Sequence, residues 1–243
     1  MKSIAIFTCL LVIAAGATAG ELPHWGYSGA NGPDAWATLC SEFGGCTGHN
    51  QSPINLTGFV EADLPPLAIA YQPGGSEILN NGHAVQVNYA AGSTLVVDGI
   101  TFALKQFHFH SPSENQIDGK PFALEIHYVH ADADGNLAVI SVMVSEGAEN
   151  AALAKLWAQM PAKAGDSSEL KAPFDGTALL PKDRDYYRFN GSLTTPPCTE
   201  GVRWLVMKAP ISASAAQVAA FTGVMGHPNN RPVQATNARL ILK

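Results

Sequence analysis

The stretch Gln106-Phe107-His108-Phe109-His110 carries the densest chemistry in the chain. On a β-strand, residues two apart share a face, so Gln106, His108 and His110 line one side. Phe107 and Phe109 then turn to the other side, where they fill a core. Two imidazoles so spaced can grip one metal ion without backbone distortion. A second stretch, Glu125-Ile126-His127-Tyr128-Val129-His130, puts Glu125, His127 and Val129 on one face and His130 on the opposite one. With these two strands as neighbours, His127 completes a three-histidine set. The fourth tetrahedral position stays open for water, the feature that separates a catalytic zinc from a structural one. Gln106 and Glu125 each stand two residues ahead of a ligand, on the same face. There they can accept the other ring N–H of His108 and His127 and so fix tautomer and orientation. A lone histidine is more often a hydrogen-bonded core residue; HxH with a third histidine, each strand with a same-face acceptor, argues for metal.

The elements that must position these side chains read mostly as short strands. Segments 83–89, 94–97, 101–110, 122–130 and 137–144 are among them, with Asp98-Gly99 and Asp134-Gly135 as turns between runs. One helix is expected over 148–160, where Leu153, Leu156, Trp157 and Met160 recur at helical spacing before Pro161; a second, short one is expected near 214–221. There are no repeats, charge blocks or linker-like stretches, so the pattern predicts one mainly β domain, mostly antiparallel, with short peripheral helices. With 243 residues, 47% hydrophobic and 14% charged, the chain can build a substantial core. Its formal net charge of -6 argues against nucleic acid or an anionic membrane as the main partner.

Residues 1–19 read as a signal peptide: Lys2, an apolar run over 4–15, then Ala17-Thr18-Ala19 as the cleavage site. That run is too short to span ~30 Å of hydrocarbon, so no membrane anchor is expected. The domain then covers 20–243, and the protein is expected to be exported, periplasmic or secreted. Cys40, Cys46 and Cys198 remain after cleavage. Export permits a disulfide, and an odd count leaves one cysteine over.

The sequence also resembles the α-class carbonic anhydrases over almost the whole mature chain. The blocks that carry the likeness are His24-Trp25-Gly26-Tyr27, Gly32-Pro33, Trp36, Asn50 to Ile54, Asn81-Gly82-His83, Gln106 to His110, Ser113-Glu114, Glu125-Ile126-His127, Gly191 to Pro197, Trp204 and Asn230 to Gln234. The resemblance implies a large twisted, mostly antiparallel sheet with Zn2+ at the base of a cone-shaped cleft, and reversible hydration of carbon dioxide to bicarbonate. His108, His110 and His127 match the zinc ligands, and Gln106, Glu125 and the carbonyl of Asn230 match their hydrogen-bond partners. Thr194 matches the threonine that accepts from the attacking hydroxide and donates to Glu114. Val129, Val139, Leu193, Val202 and Trp204 match the apolar wall that receives carbon dioxide. His83 matches the proton shuttle, with Tyr27, Asn81 and Thr195 ordering the water between it and the metal. Cys46 and Cys198 match a disulfide pair, leaving Cys40 unpaired or joined to another subunit. Cis bonds are implied at Ser52-Pro53 and Pro196-Pro197.

The same resemblance makes sulfonamides and anions the expected inhibitors, and a monomer or homodimer the expected state. Asn115 stands where many animal members carry a histidine, and Gln86 falls at a cleft-wall position that often varies; both are read as lying outside the chemistry. Two other functions compete. A catalytically inactive binding domain of this type usually lacks a zinc histidine, and all three stand here. A zinc esterase would want polar or cationic groups on the wall where aliphatic residues stand.

Overall fold

Strands, a few of them with alternating burial and the central ones buried on both faces, are the main regular structure of the chain. A computed structural model describes residues 22–243, so the expected signal segment 1–19 lies outside the described residues. In chain order the strands are β1 Asn55–Leu56, β2 Ala68–Ala70, β3 Gly75–Asn80, β4 Val85–Tyr89, β5 Thr94–Val97, β6 Ile100–His110 and β7 Gln116–Ile117. They continue with β8 Leu124–Ala131, β9 Leu137–Glu146, β10 Ser167–Phe174, β11 Tyr186–Ser192, β12 Glu200–Met207 and β13 Ile211–Ala213. The helices are α1 Trp36–Leu39, α2 Ala151–Trp157 and α3 Ala215–Met225.

One large sheet runs in the order β10-β3-β4-β6-β8-β9-β12-β11, with β2, β5 and β13 attached beside it. Most pairs are antiparallel, but β12 and β13 both run parallel to β9, which makes the sheet mixed. The expected mainly β fold is therefore present, with parallel pairing where β12 and β13, both later in the chain than α2 and ahead of α3, lie along β9. The helix expected over 148–160 is shorter. Asn150 caps it by accepting from the main-chain N–H of Ala152 and Leu153, and the residues after Trp157 form a turn before Pro161 is reached. The helix expected over 214–221 runs longer. Ser214 and Gln217 close a capping box at its start, and Gly226, at φ 70°, ends it in the left-handed conformation.

The middle strands decide the site. β8 is buried at nearly every position, as a strand covered on both faces must be. On one face, Phe107, Phe109, Ile126 and Tyr128 join a core cluster that α2 and α3 close, with Phe109 edge-on to Trp157 at 4.8 Å between centroids. The other face carries the histidines and a second cluster built on Val139, Met143, Val202 and Trp204. β6 and β8 pair antiparallel in a register that sets His108 directly opposite His127 and His110 opposite Glu125. A bulge between Leu104 and Gln106 adjusts the ladder just before the first histidine. The peptide bonds Ser52-Pro53 and Pro196-Pro197 are cis as expected, and Ser111-Pro112 is cis as well.

Candidate metal centre

The register brings one nitrogen of each of His108, His110 and His127 within 4.8 Å of the others. Each ring is held by its remaining nitrogen. His108 Nδ1 lies 2.8 Å from Gln106 Oε1, His110 Nδ1 lies 2.6 Å from the Asn229 carbonyl, and His127 Nε2 lies 2.8 Å from Glu125 Oε1. Those acceptors require the proton on the bonded nitrogen, so the free atoms are Nε2 of His108 and His110 but Nδ1 of His127. His110 Nε2 is buried and has no hydrogen-bond partner. Burial, first, and then the neighbouring imidazoles hold His108 well below the ordinary histidine range; burial likewise lowers His110. Three oriented ring nitrogens, one of them an orphaned acceptor, are a donor set that fits zinc, and it leaves room for a fourth ligand.

The acceptor of His110 corrects the expectation of Asn230. Asn229 is fully buried, and its side chain pins its own main chain: Oδ1 accepts from Ser111 N, and Nδ2 donates to the carbonyls of His83 and Phe109. Nothing in an Asn-Asn pair tells sequence reasoning which carbonyl turns inward.

Asn115, read from sequence as outside the chemistry, is also corrected. Its main-chain N–H and its side-chain amide both donate to Glu125 at 2.7 Å, and its Oδ1 accepts from Ile54 N. Glu114 N and Ser141 Oγ complete the shell around the Glu125 carboxylate. Burial alone would raise the Glu125 carboxyl, but His127, Ser141 and Asn115 outweigh it and bring the group down to about 2. Ser141 faces His127 across the β8–β9 pair. A lone polar residue in Val139-Ile140-Ser141-Val142-Met143 was the signal that could have found it. Gln86 sits beside the centre too, opposite His108 in the β4–β6 pair.

Glu114 is the second buried carboxylate. Its Oε1 accepts from Arg231 N at 2.9 Å, while Oε2 points at the histidines, 3.5 Å from His110 Nε2 and 3.8 Å from His127 Nδ1. Burial pushes Glu114 up to about 7, against the lowering effect of His127, Arg231 N–H and the Thr194 hydroxyl. Oε2 nevertheless has no hydrogen-bond partner in the structure. Thr194 is nearly fully buried on the loop that follows β11.

That loop is anchored by the Cys46–Cys198 disulfide, while Cys40 is free and partly buried. Arg231, absent from the sequence-based site, ties the region together. Its guanidinium donates to Gln51 Oε1, the Ser52 carbonyl and the Cys46 carbonyl, and it lies over the Trp36 ring. Thr195 enters through its carbonyl, which accepts from Cys198 N.

The remaining predicted residues surround the histidines. Val129, Val139, Leu193, Val202 and Trp204 all belong to one apolar cluster, and the Trp204 ring stands edge-on to His127 at 4.9 Å. His83 stacks on Trp25 with centroids 3.7 Å apart and planes 10° from parallel. Asn81 Oδ1 accepts from the N–H groups of His83 and Ala84, fixing that turn. The Tyr27 hydroxyl is buried without a partner, and burial together with Glu114 raises its pKa well above the ordinary tyrosine value.

A mainly β sheet with a trihistidine group that could hold one metal ion, a buried carboxylate beside it and an apolar wall matches the build of a metal-dependent enzyme. Residues 31–243 match the family model for eukaryotic-type carbonic anhydrase. A carbonic anhydrase of Pectobacterium atrosepticum is 50% identical, over 97% of this chain and 98% of that protein. One of Neisseria gonorrhoeae is 46% identical, over 100% and 98% of the two chains. The α-carbonic anhydrase of Thermovibrio ammonificans, solved in complex with sulfanilamide, superposes with a TM-score of 0.89 at 48% identity, covering 90% of this chain and 99% of that one. The chain belongs to the eukaryotic-type, or α, carbonic anhydrase family, enzymes that interconvert carbon dioxide and bicarbonate.

Proposed function

We propose that the protein hydrates carbon dioxide with a zinc ion held by His108 Nε2, His110 Nε2 and His127 Nδ1. The observation that carries the reading is the convergence of those three nitrogens, each on a ring whose other nitrogen is already engaged. Zinc bound there supplies the Lewis acidity that makes water a nucleophile near neutral pH, an effect for which carbonic anhydrase is itself the reference case.

The chain's own residues supply the rest. Thr194, beside the Glu114 carboxylate, gives its hydroxyl proton to that acceptor, so its lone pairs are left to accept from the attacking O–H. The nucleophile's lone pair is thereby aimed at the substrate carbon. Carbon dioxide has no charge to grip, and the wall of Val129, Val139, Leu193, Val202 and Trp204 offers an apolar surface beside His127. Hydration makes bicarbonate and one proton, and the proton must leave. His83, half-buried at the mouth, takes it up; burial, and then His24 and His227, lower its pKa so that it releases the proton readily. Sulfonamides and small anions bind at the metal and block the reaction, as the sulfanilamide complex of the Thermovibrio relative suggests. The signal-like segment 1–19 and the Cys46–Cys198 disulfide support export to the periplasm or beyond.

The test is stopped-flow hydration on the purified protein with zinc content measured in parallel. Stoichiometric zinc, and loss of both metal and activity in His108→Ala, are the expected outcomes. Full activity in that variant would remove the three histidines from the mechanism.

A further inference from the structure

His83 has company at the mouth of the cleft. It lines a chamber of about 660 Å3 together with His24, Trp25, Tyr27, Asn81 and His227. The His24 ring centroid lies 5.8 Å from that of His83, and the His227 centroid lies 6.0 Å from that of Tyr27. Both flanking histidines disfavour a proton on His83, so the three imidazoles feel one another across this space. Trp25, stacked flat on His83, holds the shuttle ring against one wall.

His227 is exposed on its outer side yet firmly placed. Its Nδ1 lies 2.9 Å from the Pro228 carbonyl, which puts the N–H there and leaves Nε2 as a proton acceptor. Two residues on, Asn229 holds both His110, through its carbonyl, and the His83 carbonyl, through its amide. One short segment therefore fixes His227 relative to the metal centre and to the shuttle together. Among the described residues no carboxylate lines the chamber. An imidazolium formed there is not locked in an ion pair and can hand its proton to bulk water.

We propose that His227 is a second proton-transfer residue, taking protons from the chamber in parallel with His83. This rests on the hydration reading above and extends it. The experiment compares wild type, His83→Ala, His227→Ala and the double variant in stopped-flow hydration, separating kcat from kcat/KM, in a weak buffer of bulky molecules. His227→Asn serves as a second, polar replacement.

The formation of bicarbonate precedes proton export, so kcat/KM should stay level across the set. The kcat of the double variant should fall about threefold or more below that of His83→Ala, a part of the ~10²-fold or more that a positioned proton acceptor contributes. Added imidazole should bring both variants to the same kcat. A double variant with the kcat of His83→Ala would overturn the proposal, and so would a loss that imidazole cannot rescue. A wild-type protein without hydration activity would overturn the functional reading as well, so the two failures are told apart in the wild type itself.

Discussion

Replacing Glu125 by glutamine tests the logic of the metal centre most sharply, because shape is kept while one acceptor is lost. The carboxylate takes five donors: His127 Nε2, Ser141 Oγ and Asn115 Nδ2 on Oε1, and the N–H groups of Glu114 and Asn115 on Oε2. A glutamine amide has one acceptor oxygen and an NH2 that only donates. If its oxygen takes the Oε2 place, the two main-chain donors keep their partner and the NH2 faces the other three groups. Ser141 can rotate to accept. Asn115 cannot flip without abandoning Ile54 N, which its Oδ1 holds at 3.0 Å. His127 must then offer a lone pair on Nε2 and carry its proton on Nδ1, the atom needed for zinc. The reverse orientation sets the NH2 against two buried N–H groups, each unpaired donor costing about 1–3 kcal/mol. Either way zinc binding should weaken on the order of 10- to 100-fold, the size of effect seen when a ligand's orienting partner is removed. Competition against a chromophoric chelator measures the zinc Kd, and denaturant unfolding of the metal-free protein measures the fold. A Kd within about twofold of wild type, with unfolding unchanged, would refute the tautomer argument.

Three further outcomes are expected. Thr194→Ala should lower kcat/KM about 10²-fold in stopped-flow hydration, the scale for losing one group aimed at the transition state, while Thr194→Ser should keep most of it. His130, fully buried between Tyr71 Oη and the Ala138 carbonyl, is held down to about 4 by burial. Because its folded pKa lies below the ordinary 6.5, its contribution to stability is complete above pH 6.5 and is lost as pH falls toward 4. The loss amounts to about 3 kcal/mol, and denaturant titrations at pH 7 and pH 4 should show it shrink in His130→Gln. Cys46 and Cys198 are 152 residues apart, so removing their bridge by Cys46→Ser/Cys198→Ser should cost about 5 kcal/mol in the chain-entropy account, read as a lower Tm by calorimetry.

Which side chains share a face could be read from the chain alone, because strand parity is a local property. Gln106, His108 and His110 fall on one side and the two phenylalanines between them on the other whatever the rest of the fold does. The same parity separated His127 from His130, and in the structure the first joins the histidine cluster while the second is buried against Tyr71. A short helix was expected near 214–221, and the structure adds its Ser214–Gln217 capping box and the left-handed turn at Gly226 that ends it. Strands β3, β10, β11 and β12, the last two carrying Phe189, Val202 and Trp204 of the second cluster, do not stand among the segments read as strands from the sequence. Their irregular burial comes from long-range pairing and bulges, which no short window contains.

Tertiary structure decided everything that depends on register and on distant carbonyls. His108 meets His127 because β6 and β8 pair in one register out of many, and a slip by one residue would send His127 to the opposite face. Asn229 in place of Asn230, Asn115 and Ser141 around Glu125, and Arg231 beneath Glu114 are main-chain and buried polar contacts made across 10 to 180 residues of chain. A sequence names the donors and acceptors. Only the folded backbone, which must satisfy each buried polar group, determines who is paired with whom.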